Sequence, residues 1–599
     1  MITLHTIGVL AATAALAGAI AELGRWLGGD SPATRWVRGW TVLWWLMAVL
    51  AQLASPAVAA VAGSLVVLVA FAAWGYRERH VARPWLLGSA ALLTGAPLIL
   101  CPPVFYDALV YHLGLPWSWL VNGSFDPAPH HVFSHFPLAG QAVFLIPVGW
   151  GLPEAAAGLH WMCLGVTLAA CLRLARRLGA GRWSVLAPLL LVGCWHLLWI
   201  AGQPAVDLLV SLAVVAAIEA LTADPDPRWL DLGLACGLAA AVKYPAAVPL
   251  AGVALAALLF FPGRWRQLAG ALAVAVAAAS FVPVRNLITT GNPVYPLLWP
   301  LFGGSGWTAR DNARWASLVH EGVDGLASLP SGLLRLVRPP DGLGWWVPVA
   351  AVLALAAVLQ PGVAARGRRL AAVAAALGLG GWLVSSQTAR YAFPVAALVA
   401  VLAAVGARRL PRGAAIAAAA LLAATTALGL ADLGRLTLGR LQIHRMWTGE
   451  VTRDEWRHRV TVNDPLPAYR AAEATLHGSA RLLVVGDGRS WGCPMHHHVS
   501  SSYDLQLVQE WVEAAPDAEQ VARTAAAEGW SHLLINWGEL ERLGGPDFQV
   551  LRWQSPADEQ RWRDFLDRWT VPLAVHPPCE LRAIRPPSQP RGEEPGSGG

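Results

Sequence analysis

The chain is a succession of apolar blocks, each cut from the next by a short polar loop. The blocks run for roughly 17–20 residues, enough to cross a bilayer as a helix. Inside hydrocarbon every backbone N–H and C=O must be satisfied within its own segment, so each block is committed to helix. The blocks fall near 2–23, 40–54, 57–74, 84–101, 155–172, 184–201, 205–222, 230–246, 247–262, 268–287, 344–360, 370–386, 391–407 and 413–431. The expected fold is therefore an α-helical polytopic membrane protein of about fourteen transmembrane helices. Only 14% of the 599 residues are charged, where a soluble domain carries about 25%. That excludes a soluble enzyme built on ordinary cores. The segment from Ile2 to Leu23 has no basic start and no small-residue cleavage site, and reads as a retained helix.

Arginine sorts the loops into two sets. Arg25, Arg35 and Arg38 follow the first block, and Arg77, Arg79 and Arg83 the third. Arg173, Arg176, Arg177 and Arg182 follow the fifth; Arg264 and Arg266, then Arg366, Arg368 and Arg369, then Arg408, Arg409 and Arg412 follow later ones. These loops share one side, read as cytoplasmic. The protein is then a multi-pass protein of the cytoplasmic (inner) membrane. The other side holds loops 102–154 and 288–343, short turns at Gln203–Asp207 and Ser386–Tyr391, and everything after Asp432.

At Asp432 an Ala/Leu-rich chain gives way to one rich in charge, Trp and His. Residues 432–585 read as a small extracytoplasmic α/β soluble domain, with strands at 481–485, 532–536 and 581–584 and a helix at 517–528. Residues 586–599 read as a disordered tail. Cys493 and Cys579 could pair if this domain is extracytoplasmic. Gly486-Asp487-Gly488 lacks the spacing of a dinucleotide fingerprint. The triplet His496-His497-His498 reads as an exposed turn rather than a metal site. No basic run interleaved with aromatics appears, so no nucleic-acid partner is expected.

A few charges on the external side stand out. Asp107, in Tyr106-Asp107-Ala-Leu-Val-Tyr111-His112, lies just past a membrane block. Helical spacing lets Asp107 share a face with Tyr111 and His112. It is either the cap of a helix over 108–121 or a general base working on a hydroxyl. Asp207 opens an apolar helix, as a cap or as a functional ion at membrane depth. Lys243 is the one lysine beside forty-three arginines. A compact ammonium on a flexible stem suits a phosphate in a tight site; the plain alternative is snorkelling. Arg285-Asn286 and Arg390-Tyr391 put cations on the side that should lack them, either to hold an anion or to anchor headgroups. Together these form the inventory for binding a phosphate leaving group and activating a hydroxyl. His130, His131 and His135 match no fixed zinc spacing.

In these motifs the chain resembles the integral-membrane glycosyltransferases of the GT-C superfamily, in the branch of protein O-mannosyltransferases and lipid A aminoarabinose transferases. The carriers are Tyr106-Asp107 with Tyr111-His112, Phe136-Pro137, Asp207, Lys243-Tyr244, Arg285-Asn286 with Gly291-Asn-Pro-Val-Tyr-Pro296, and Arg390-Tyr391 with Pro394. They span about residues 84–545, making 84–431 a GT-C-like catalytic core and 1–83 extra N-terminal helices. The resemblance implies transfer of a sugar from a polyprenyl-phosphate donor to a lipid, glycan or protein hydroxyl outside the membrane, with inversion. Asp107 matches the first-loop base, with Asp207 as the second catalytic acid. Lys243, Arg285, Arg390 and Tyr391 match the donor phosphate site, and Tyr111, His112, His135 and Asn286 the substrate site. Some relatives hold a metal near the first loop, which leaves a divalent metal as the one candidate cofactor. Two other readings fit the inventory: a transporter or flippase of a lipid-linked or anionic solute, and a polysaccharide polymerase or ligase.

Overall fold

The computed structural model describes residues 4–78, 82–319, 328–338, 342–544 and 549–585. The expected disordered tail, 586–599, lies outside the described residues. Three helices open the chain: α1 (Leu4–Trp26), α2 (Pro32–Leu53) and α3 (Pro56–Glu78). Ser31 caps α2, its hydroxyl accepting from the Thr34 amide, and Pro32 occupies the first turn, where its missing N–H costs nothing. Next come α4 (Ala82–Ile99), α5 (Gly114–Asn122), α6 (Ala139–Gly149) and α7 (Glu154–Arg177). α8 (Leu186–Val192) and α9 (Trp195–Ala201) form a bent pair ahead of α10 (Asp207–Leu221). α11 (Trp229–Val242) and α12 (Ala247–Phe260) follow, then a second bent pair, α13 (Trp265–Ala279) and α14 (Phe281–Thr290). After three short helices, α15 (Trp299–Phe302), α16 (Ala309–Val319) and α17 (Leu329–Val337), come α18 (Trp346–Val358), α19 (Ala365–Leu383), α20 (Phe393–Ala407) and α21 (Arg412–Gly434).

The expected count of fourteen spans is not reached. Among the described residues five helices are long and apolar enough to cross a membrane, or seven if each bent pair counts as one. The shortfall arises where an unbroken apolar stretch hides a backbone break. Lys243, read inside one block, is extended (φ −164°, ψ 136°) and ends α11 after 14 residues. A helix of that length rises about 21 Å, short of a hydrocarbon core of about 30 Å.

Every residue of α10 is buried, so this helix, apolar all round, is the axis of the bundle. It packs against α7, α11 and α20. The arginine loops are tied together at one end: Arg173 to Glu219 (2.6 Å), Arg38 to Asp231 (2.7 Å), Arg25 to Glu78 (2.7 Å), and Arg408 to the Gly179 carbonyl (2.8 Å). At the other end of α7, Glu154 pairs with His5 and with Arg453, which follows α21 in the chain. The C-terminal region and the arginine loops therefore sit at opposite ends of the bundle.

The C-terminal region opens with α22 (Ile443–Trp447), α23 (Arg453–Val460) and α24 (Leu466–Thr475). It then alternates β1 (Arg481–Val485), β2 (His496–Val499), α25 (Leu507–Ala514), α26 (Ala518–Ala527), β3 (His532–Asn536), α27 (Trp537–Arg542), α28 (Pro556–Trp569), β4 (Thr570–His576) and β5 (Cys579–Ile584). The sheet order is β2-β1-β3-β5-β4, parallel across β2, β1 and β3 and antiparallel beyond. Two strands escaped the sequence reading. β4 is one; the other is the histidine triplet, which is not an exposed turn but β2, with His497 and His498 buried. Its free edge is closed by Asn122 of α5, whose amide donates to the His497 carbonyl (2.8 Å) and accepts from its N–H (3.1 Å). Cys493 and Cys579 stay separate, buried thiols.

α11 carries Gly233 and Gly237 one turn apart against α13. A Cβ at either would come within 2.5 Å and 2.6 Å of the Ala271 and Ala275 carbonyl oxygens, so the two backbones meet on glycine. Replacing both with valine should lower the thermal midpoint of the purified protein, at about 1–3 kcal/mol for each overpacked site, whereas Gly263→Val, in open space, should leave it in place.

Candidate functional site

The external loop after α4 turns through a π-helical turn, Ala108–His112, with Asp107 at its start. Asp107 makes no capping bond there. Its Oδ2 instead accepts from the Tyr111 hydroxyl (2.7 Å), the i+4 partner the spacing predicts, and pairs with Arg390 Nη2 (2.6 Å). Arg390 comes from the short turn Ala389–Ala392 that leads into α20, with its guanidinium 5.3 Å from the Phe105 ring centre. Burial pushes the Asp107 carboxyl up. Arg390, then Lys243 and His112, outweigh that and hold it below the usual carboxylate range, so it stays ionised. Burial and the adjacent Asp107 charge push the Tyr111 phenol well up, so it remains a donor.

A second pair lies beside the first. Asp207, the first residue of α10, accepts from Lys243 Nζ at 3.1 Å, and both are buried. Lys243 sits in the break between α11 and α12 and does not snorkel. Its Nζ lies 4.8 Å from the Tyr391 ring centre, and Arg390 Cζ lies 5.5 Å from the same ring. Tyr391 is thus the aromatic spacer between the two ion pairs. Four polar atoms here have no hydrogen-bond partner among the described residues: Asp207 Oδ2, Arg390 Nε, His112 Nε2 and Gln141 Oε1. His112 faces the same network. Gln141 donates to its Nδ1 (3.2 Å), and burial, with the Lys243 charge, lowers its pKa to about 3, so it is a neutral imidazole.

His160 of α7 carried no signal in the sequence, because a histidine inside an apolar helix has no motif around it. Its Nε2 accepts from the Leu208 amide (2.9 Å), and its Nδ1 reaches the Ile200 and Gln203 carbonyls (2.9 and 3.1 Å). It fixes the first turn of α10 and so positions Asp207.

Arg285, Asn286 and His135 lie elsewhere. Arg285 donates to the Phe125 carbonyl (3.2 Å) and to the Ser134 carbonyl. Asn286 donates to the His135 carbonyl (2.7 Å) and meets the His135 ring at 3.3 Å. Their hydrogen bonds go to residues 125–135 of the 102–154 loop, which they fasten onto α14. Burial, with Arg285, lowers the His135 pKa to about 3. A metal does not fit: the carboxylates Asp107 and Asp207 already face cations, and among the described residues no three His, Cys, Asp or Glu side chains converge for an ion.

Two cavities meet at this network. One, of about 530 Å3, lies between Asp107 and the C-terminal domain; the other, of about 400 Å3, lies toward the helices and contains Lys243 and His112. Tyr111, Phe133, Arg390, Tyr391 and Tyr503 line both. The second is mostly apolar, with Val206, Val242, Val248 and Trp382 in its wall. The C-terminal domain is fastened over the first loop: Trp117 donates to the Cys493 carbonyl (2.6 Å), the Trp491 amide to the Leu109 carbonyl (3.2 Å), and Asp504 accepts from the Val132 amide (2.9 Å).

No protein-family model matches the chain, and no curated protein matches it. Solved structures similar to it include ArnT from Cupriavidus metallidurans bound to undecaprenyl phosphate, 14% identical with a TM-score of 0.49 over 84% of this chain and 98% of that one. The archaeal oligosaccharyltransferase AglB from Archaeoglobus fulgidus, in complex with an inhibitory peptide and a dolichol-phosphate, is 12% identical with a TM-score of 0.43 over 78% and 70%. The arabinofuranosyltransferase AftD from Mycobacteria is 14% identical with a TM-score of 0.45 over 85% of this chain and 42% of that one. These proteins belong to the GT-C superfamily, the one that the sequence motifs resemble.

Asn286 is fully buried, and its side-chain partners include the backbone and ring of His135. Asn286→Ala should therefore cost about 1–3 kcal/mol through the unsatisfied groups it leaves, read as a lower thermal midpoint and faster proteolysis of the 102–154 loop.

Proposed function

We propose that the chain is a membrane glycosyltransferase that moves a sugar from a polyprenyl-phosphate donor to an acceptor hydroxyl at the extracytoplasmic face, with inversion. The observation that carries this reading is the Asp107–Arg390 pair standing where two cavities meet, a mixed one that carries the charged groups of the C-terminal domain, called polar below, and a mostly apolar one. The apolar cavity suits the lipid-linked donor and the polar one the acceptor, as the undecaprenyl phosphate in ArnT and the dolichol-phosphate and peptide in AglB would lead one to look for. The positive-inside rule puts the arginine end of the bundle in the cytoplasm and the site outside.

In-line displacement needs the base and the leaving group on opposite sides of the sugar carbon. Asp107 lines the polar cavity and Lys243 the apolar one, with the shared wall between them. As the acceptor oxygen bonds to the sugar carbon, its proton passes to the Asp107 carboxylate. The carbon–oxygen bond to the phosphate breaks, and the charge on the departing polyprenyl phosphate falls beside Lys243. An ammonium has three donors, and Asp207 takes one of them. Arg390 Nε offers another. Arg390 also keeps Asp107 ionised, and Tyr111 orients it, so the base needs no prior deprotonation. A transporter would carry its charges mid-membrane in interrupted helices; Lys243 does stand at a helix break, but it belongs with Asp207 to a network whose Asp107–Arg390 pair lies at the end of the bundle under the C-terminal domain.

Asp107→Asn should lower transfer by about 10²–10⁴-fold while leaving undecaprenyl phosphate affinity unchanged; undiminished transfer would remove the reading. Lys243→Arg keeps the charge and changes its shape, and should weaken undecaprenyl phosphate binding about tenfold. The depressed pKa of Asp107 sets the sign of the pH dependence. A group stabilised as the anion keeps its competent form above its folded pKa and loses it only as pH falls through that value. Transfer should therefore show no acid loss from this group between about pH 7 and pH 5. In Arg390→Gln the acid limb of the pH–rate profile should lie at higher pH than in wild type.

A further inference from the structure

We propose that the acceptor is read by the C-terminal sheet rather than by the membrane helices, that it is a water-soluble, polyhydroxylated glycan segment, and that Arg542 is its specificity-determining residue. The inference rests on the glycosyltransferase reading above. In a parallel sheet, ligands sit beyond the carboxyl ends of the strands, where the loops diverge. The parallel strands β1 and β3 end at Val485 and Asn536. The residues just beyond them, Arg489 on one loop and Glu539 and Arg542 on α27, line the polar cavity opposite Asp107. The binding edge of the sheet is thus turned onto the membrane site.

The Gly486-Asp487-Gly488 turn, which matched no nucleotide fingerprint, builds this edge. Gly486 has φ +85°, and a Cβ there would lie 2.5 Å from Leu540 Cγ. Asp487 accepts from the Arg489 amide (2.9 Å) and Nε (2.8 Å) through Oδ1, and from Arg489 Nη2 and Asn536 Nδ2 (both 2.7 Å) through Oδ2. The other Arg489 donors go to the Val462 and Asn463 carbonyls. Arg489 is therefore a positioning residue with its donors spent. Glu539 is buried and grips Arg542 through both oxygens (3.0 and 2.6 Å). The Arg542 side chain is 42% exposed, so its remaining edge is the part offered to the cavity.

The guanidiniums of Arg489 and Arg542 lie 5.6 and 5.9 Å from the ring centre of Tyr106, the residue before Asp107. The sheet edge and the base are thereby held in one frame. The chemistry of this wall favours a neutral polyol: Arg542 is already matched by Glu539, Arg489 by Asp487 and Arg390 by Asp107, which leaves directed hydrogen bonds and no net charge. Thr461 and Ser502 add hydroxyls. The membrane side of this cavity comes from the 104–111 loop, Phe133 and the Arg390-Tyr391 turn; its apolar side chains, Val104, Leu109 and Val110 among them, are loop residues, and among the described lining residues none belongs to the body of a membrane-spanning helix. The donor cavity is lined instead by Val206, Val242 and Val248.

The test uses full-length protein in lipid nanodiscs and labelled polyprenyl-phosphate sugars from the producing cells. Envelope from cells lacking the chain serves as acceptor, split into a water-soluble glycan fraction and a chloroform–methanol lipid fraction. Label should enter the glycan fraction. Arg542→Gln should raise the half-saturating amount of glycan about tenfold or more, with undecaprenyl phosphate affinity held. Arg542→Lys, which keeps charge without the fork, should rescue only part of that loss. Glu539→Gln, which frees Arg542 from its grip, should move the same half-saturation value. Label in the lipid fraction alone, or wild-type half-saturation in Arg542→Gln, overturns the proposal. Transfer that survives Asp107→Asn instead overturns the glycosyltransferase reading beneath it, so the two failures are told apart.

Discussion

Two carboxylates and two cations gather at one end of an apolar bundle, Asp207 and Lys243 buried and Asp107 and Arg390 half-buried, and they neutralise one another there. Asp107 is held by Arg390 and Asp207 by Lys243, with the Tyr391 ring between the pairs. Taking a charge out of water costs several kcal/mol, and stripping a buried pair of one partner costs about 3–5 kcal/mol. The partners are 283 and 36 residues apart in the chain. Satisfying them therefore forces the first external loop, the start of α10, the break after α11 and the turn before α20 to one point. His160 of α7 and the spacer Tyr391 serve that same convergence.

The consequence is a wall with two sides. Because Arg390 and Tyr391 sit on it, both cavities touch the same charges from opposite directions. One cavity is framed by helix ends and is apolar. The other is framed by the C-terminal domain, which is fastened to the first loop by the His130–Glu510 pair and by hydrogen bonds to backbone carbonyls and amides. Such hydrogen bonds are insensitive to salt, so the polar cavity keeps its shape where surface pairs would be screened.

Much of this was legible in the chain and some was not. The i+4 relation of Asp107 and Tyr111 is local, and the structure has the bond that the spacing anticipates. The odd lysine stood out against forty-three arginines, and it lies in the network. Arg285 and Asn286 carried the same kind of signal, polar groups on the unexpected side, yet their donors go to carbonyls of the first loop. A cation's sequence position says nothing about whether an anion or a backbone oxygen lies nearest. The histidine triplet looked like a polar turn because its burial comes from β1 and from Asn122, far away in the chain. The span count fell short because a β-like residue at Lys243 breaks helix without leaving a gap in hydrophobicity.

By itself, then, the sequence determined the class of protein and the sorting of its charge. Apolar blocks leave the backbone no choice but helix in a bilayer, and arginine marks one end of each loop set. The α/β character of the last domain was likewise local, since strand and helix periods are written in consecutive residues. Only the tertiary structure decided which acid meets which base, where the helices break, and that the carboxyl edge of the sheet faces Asp107. Those are distances through space between residues hundreds of positions apart, and electrostatic pairing acts on distance alone.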